Sequence, residues 1–206
     1  MRGSARRRQR GNQVIEFAIC SAFLAPLFLG TVIIGMRLGR ATQVTQVARD
    51  TAHMYARFVD FSRPGNQDLI VRIASGLNIT RTGGNGVVIL SQVKQIGDQQ
   101  CADGGVALVD CYNRTRAVVI QRLVIGNASL RSSSLATPTP SLIHANGDID
   151  PADYLRNASV VATSFPSILV LNPGEFAYVV EAYFTAPELD ALGYYSGSGV
   201  YSRCIF

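Results

Sequence analysis

The chain has no tryptophan and only two histidines, His53 and His144, in 206 residues. It contains no Cys-x-x-Cys pair and no glycine-rich phosphate loop. Zinc sites draw on clustered Cys and His ligands, and nucleotide sites on such loops, so no metal, no other cofactor and no catalysis are expected. Acidic residues are missing from the first ten positions, where five arginines stand (Arg2, Arg6, Arg7, Arg8 and Arg10). These five match the formal net charge of +5, and the rest of the chain is close to neutral. The basic character therefore belongs to a tail rather than to a folded face, and nucleic acid is not an expected partner. Charged residues are scarce throughout, 16% of the chain against 48% hydrophobic. No internal repeat is present.

Much of the apolar excess lies in residues 14–36, where Glu16 is the one charged side chain. At a rise of about 1.5 Å per residue, a helix of that length spans a hydrocarbon core of about 30 Å. The run exceeds the roughly 7–15 apolar residues of a cleaved secretory signal. Arg37 and Arg40 follow it without a small-x-small cleavage pattern. An uncleaved signal anchor is the expectation. The arginine cluster before the run outweighs Arg37, Arg40 and Arg49 after it, which keeps the N-terminus cytoplasmic and places the chain beyond about residue 37 outside.

No proline falls between residues 27 and 63, and the helical pattern continues past Met36. Leu38, Ala41, Val44, Val47, Ala48, Thr51, Ala52, Tyr55, Phe58 and Val59 recur at three-to-four spacing, with Arg40, Gln43, Gln46, Arg49, Asp50 and Arg57 on the other face. One long helix is expected, first apolar all round and then one-sided. Pro26, inside the apolar part, removes one backbone hydrogen bond and favours a kink.

Ser62-Arg63-Pro64-Gly65-Asn66 ends that element, and a short helix is expected over residues 67–77. Beyond the Gly83-Gly84-Asn85-Gly86 turn, runs rich in β-branched residues predict strands at 87–90, 106–109 and 117–125. Residues 132–151 read as a long loop. After the Asn172-Pro173-Gly174 turn come strands at 176–184 and 200–206. The expected class is α+β, a long N-terminal helix (transmembrane, then amphipathic) leading into a mainly antiparallel sheet. The boundaries are a basic leader at 1–11, the helix at 12–60 and an extracytoplasmic domain at 61–206.

Four cysteines are present. Cys20 lies in the apolar run, a small filler. Cys101 and Cys111 flank a glycine-containing turn and are candidates for a local disulfide, while a pairing of either with Cys204 remains open.

The most informative stretch is Arg10-Gly11-Asn12-Gln13-Val14-Ile15-Glu16-Phe17. A basic leader ends in glycine, an apolar helix follows, and a lone carboxylate stands five residues past the glycine. This resembles the processing site of type IV pilins and their relatives. The resemblance implies cleavage after Gly11 by a membrane aspartyl protease, the prepilin peptidase, with Asn12 as the new N-terminus. It makes Glu16 the fifth mature residue, paired with the N-terminal amine of a neighbouring subunit, and Phe17 the aromatic that often follows. A carboxylate inside a membrane span costs several kcal/mol unless paired, which makes Glu16 a candidate on physical grounds as well. The bland alternative is that it snorkels to the interface.

Together with the short arginine-rich leader, the breaks at Pro26, Gly30 and Gly35, and the Leu171-Asn172-Pro173-Gly174-Glu175 block before an apolar strand, the chain resembles TadE-like minor pilins (pseudopilins) of the tight-adherence (Tad/Flp-type) pilus system. Residues 60–165 carry no part of the resemblance. It implies a bacterial inner-membrane location, a periplasmic C-terminal domain, and as partners the prepilin peptidase, other pilin-type helices and a pilus assembly platform. Two alternatives stay open, a type II secretion pseudopilin and an unprocessed, signal-anchored envelope protein with a ligand- or peptidoglycan-binding ectodomain.

Other signals are weaker. Asn146, Asp148, Asp150 and Asp153 suggest a calcium loop, but Pro151 occupies the position that needs glycine. Ser141 and His144 lack a third catalytic partner. Tyr194, Tyr195 and Tyr201 are expected to pack on the sheet edge rather than form an adhesive patch.

Overall fold

A computed structural model describes residues 5–185 and 199–206, with side chains from Gln13 onward. The chain forms two compact units, Met1–Arg40 and Ala41–Phe206. Helix α1 runs over Ala5–Ala56 with Pro26 inside it. Over residues 14–36 it is an exposed apolar helix. Phe17, Phe23, Leu24, Leu27 and Phe28 are all more than three-fifths exposed. Its span is long and apolar enough to cross a membrane, and none of its most apolar stretch is buried within the chain. Ser21 and Thr31 donate their hydroxyls to the carbonyls of Ala18 and Phe28, so these polar groups are satisfied inside the helix.

The second unit begins where the pattern becomes one-sided. Val44, Val47, Ala48, Thr51, Ala52 and Tyr55 are buried, whereas Gln43, Gln46, Arg49 and Asp50 are exposed, as the spacing predicts. The helix ends at Ala56 rather than near residue 60, because Phe58 turns into the left-handed region (φ 63°). Helix α2 covers Pro64–Ile73, with proline at its first turn, and a 3-10 turn at Ser75–Leu77 completes the segment read as one helix.

The sheet comprises β1 (Gly86–Gln95), β2 (Ala117–Gly126), β3 (Phe176–Phe184) and β4 (Val200–Ile205), in the order β2-β1-β3-β4. Every pairing is antiparallel, which makes the fold α+β. Alternation assigns its faces. Val88 and Leu90 of β1, Leu123 and Ile125 of β2, and Val180, Ala182 and Phe184 of β3 pack with α1 and α2 in one core. On the opposite face Val93, Val119, Ala177 and Val179 pack with Leu135, Leu155, Val160 and Phe165. Two short helices, α3 (Asp98–Asp103) and α4 (Pro151–Arg156), belong to this second layer. Gly126 closes β2 with φ 103°, and a Cβ there would stand 2.3 Å from the Gly86 carbonyl oxygen, so only glycine fits.

The strand expected at residues 106–109 does not form. Val106 is buried, but Val109 is 90% exposed and the segment turns. It lies in the loop closed by the Cys101–Cys111 disulfide (Cα–Cα 6.0 Å), which leaves Cys204 free and half-buried. A ten-residue closed loop stabilises by about 2–3 kcal/mol through the unfolded state. The Cys101→Ser/Cys111→Ser variant is therefore expected to lose about that much in denaturant titration. An unchanged midpoint would show that the bridge constrains nothing.

Candidate functional site

The site singled out by the sequence lies on the first turns of α1. Gly11 and Asn12 have helical backbone, and the Asn12 side chain lies outside the described residues. Glycine at position 11 makes this turn cheaper to unwind, by about 1 kcal/mol relative to alanine. Glu16 is exposed, with no hydrogen bond or ion pair to any described residue. Phe17, beside it, is 75% exposed. The flanking surface is Val14, Ile15 and Ile19, all more than half exposed. A lone carboxylate thus stands among exposed apolar side chains of one helix. Lower on the helix, Gly30, Gly35 and Gly39 have open space where a Cβ would stand.

The acidic turn is engaged internally. Asn146 donates its amide to Asp148 at 2.6 Å, Gln121 donates to the same carboxylate at 2.5 Å, and His144 Nε2 lies 3.1 Å from Asp150. Ser141 makes no bond to His144 among the described residues. Nor do three His, Cys, Asp or Glu side chains converge among them.

Compared with known protein families, curated proteins and solved structures, the chain matches none of them.

One polar constellation escaped the sequence reading. Glu181, in the middle of β3, is 2% exposed. Its carboxylate accepts from the hydroxyl of Ser133, the backbone N–H and hydroxyl of Ser134 (3.0 and 2.6 Å) and the hydroxyl of Tyr201 on β4 (2.7 Å). Burial alone raises its pKa, but these donors outweigh burial and hold it below the usual glutamate range. Arg122, on the same sheet face and 7% exposed, donates to the Ala136 carbonyl at 3.3 Å. Burial pushes this guanidinium down to about 10, with Glu181 opposing the shift, so it remains charged at neutral pH. The guanidinium of Arg131 stacks over the Tyr201 ring at 4.1 Å. The cluster ties residues 131–136 to three strands, which is a structural role. Its signal was a lone charge in each of two apolar strand runs. Tyr201 thus packs on the sheet as expected, while Tyr194 and Tyr195 lie outside the described residues.

Proposed function

We propose that the chain is a minor pilin or pseudopilin, anchored by α1, that takes part in assembly of a type IV-like pilus of the tight-adherence kind. One observation carries this reading: Glu16, with no partner among the described residues, stands on an exposed apolar helix, five residues past the Gly11 that ends an arginine-rich leader. In lipid such a carboxylate needs a cation. Removal of the leader after Gly11 by a prepilin peptidase creates one, the Asn12 amine, and a neighbouring subunit presents it. Apolar helix packing, with close approach at Gly35 and Gly39, supplies most of the association, and the charge pair sets axial register. The domain beyond the span is periplasmic and catalyses nothing; its role is at the tip or base of the fibre.

The test is the mature N-terminus. In cells containing the peptidase, mass spectrometry of the membrane-purified chain is expected to find Asn12 first, and Gly11→Leu is expected to retain the leader. An intact arginine-rich extension on the native chain would instead favour the unprocessed signal-anchored protein. A type II secretion pseudopilin shares the cleavage, and co-purifying partners distinguish it.

A further inference from the structure

Just beyond the end of α1, the second unit holds a cavity of about 260 Å³, lined by Tyr55, Phe58, Asp60, Gln92, Gln121 and Tyr178 among others. Its residues lie on the helix-covered face of the sheet, where Gln92 of β1 sits in register between Gln121 of β2 and Tyr178 of β3. The β1–β2 register shifts at this row, leaving Ile120 as an extra residue. Bulges of this kind re-aim side chains and are common beside sites.

The amide groups differ in how much of their bonding capacity is already used. Gln121 is fixed: its carbonyl oxygen accepts from the Tyr55 hydroxyl at 2.5 Å and its amide donates to Asp148. Gln92 is half-buried, and its amide has no hydrogen-bond partner among the described residues. The Tyr178 hydroxyl has none either, and burial raises its pKa, which keeps it a donor. The rim is built at a cost. Phe58 is 78% exposed with φ 63°, a conformation that strains a bulky residue by about 1–2 kcal/mol. Its ring meets Tyr178 edge-to-face at 6.1 Å. A large apolar ring held out to solvent on strained backbone is unfavourable twice over, and that points to a ligand.

Aromatic faces beside a planar amide with free donors and acceptors suit one chemical class. A sugar ring offers an apolar C–H face to stack and a belt of hydroxyls, each both donor and acceptor. The volume falls just under the roughly 300–1,000 Å³ of pockets for drug-sized ligands, so it admits a single ring rather than an extended peptide. Asp60, a lining residue, is ion-paired with Arg63 (3.0 Å), whereas the Asp148 carboxylate, bonded to Gln121, has no cationic partner among the described residues and so disfavours an acidic sugar. We infer that this cavity binds one ring of a neutral saccharide. The site lies wholly in the second unit and does not depend on the pilin reading.

The experiment is saturation-transfer NMR on the full chain in a sugar-free zwitterionic detergent. The probes are chitotriose, maltotriose and cellotriose, with trigalacturonate and hexaproline as the acidic-sugar and peptide comparisons. At least one neutral trisaccharide is expected to receive saturation. Its affinity should fall about tenfold in Gln92→Ala and in Phe58→Gly, and stay unchanged in Gln99→Ala on α3. Phe58→Gly relieves the backbone, so it should melt no lower than the native chain, which separates lost binding from lost folding. The inference is overturned by no transfer to any of the three neutral probes, or by equal binding in both cavity variants. Trigalacturonate or hexaproline binding as tightly as the best neutral sugar would also overturn it.

Discussion

Glu181→Ala is expected to destabilise the second unit by about 3–5 kcal/mol, because it removes the acceptor of four hydrogen bonds and leaves Arg122 buried without its counter-charge. For a unit of this size that lowers the melting temperature by roughly 10 °C. Denaturant or thermal unfolding of the solubilised chain measures it, and a loss under about 1 kcal/mol would sink the account. The pH dependence has a fixed sign. A carboxyl group whose folded pKa is depressed contributes stability that is complete above its unfolded value of 4.5 and fades as pH falls through the folded value. The charged and titratable groups around it are Arg122 on β2, Tyr201 and Arg203 on β4, and Arg131 in the covering loop. Surface carboxylates such as Asp68 and Asp98 titrate in the same direction, so the informative quantity is the difference between the native chain and Glu181→Gln. That difference is expected to be constant above about pH 5 and to shrink below 4.5.

The second large effect concerns Glu16. Within the pilin reading, Glu16→Gln leaves the recognition sequence before Gly11 untouched, so cleavage proceeds, but the Asn12 amine of the neighbour loses its counter-ion in lipid. An intramembrane charge is worth about 2.5–3.5 kcal/mol, which corresponds to more than a tenfold loss of assembled subunit. Crosslinking between helices in cells, quantified beside N-terminal mass analysis, reads both steps. Wild-type assembly by the Gln variant would remove the register role of the carboxylate.

Much of the fold is legible in the chain because its signals are long. The apolar run with its one-sided continuation predicts α1, with an end four residues beyond Ala56 and a start seven residues after Ala5, and the β-branched runs place β1 and β2. The Asn172-Pro173-Gly174 turn sets the start of β3. Short segments are harder. Val106–Val109 has strand composition, yet a tight disulfide loop leaves no room for a sheet partner and Val109 faces solvent. Helices α3 and α4 span six residues each, too few for a period to emerge. The buried Glu181–Arg122 cluster was hidden for another reason. Its donors come from Ser133 and Ser134 in a loop remote in sequence, and local pattern carries no information about such partners. The same holds for the cavity, where Gln92 and Gln121 become neighbours only through strand register. The motif around Gly11 and Glu16 was the opposite case, complete within eight consecutive residues.

The strand order has a bearing on how the protein matures. β1 is made first yet sits in the interior, hydrogen-bonded to β2 on one side and to β3 on the other. As the polypeptide emerges from its N-terminal end, β1 and β2 can zip into a hairpin around the early-closing cysteine loop. The second edge of β1 then stays open until residues 176–184 arrive, since Gly86 pairs with Phe184 and Lys94 with Phe176. Distant pairing of this sort is slow, and a waiting edge invites wrong partners. Nascent chains halted before β3 should accordingly be clients for chaperones that shield unpaired strands, whereas those released after β4 should not.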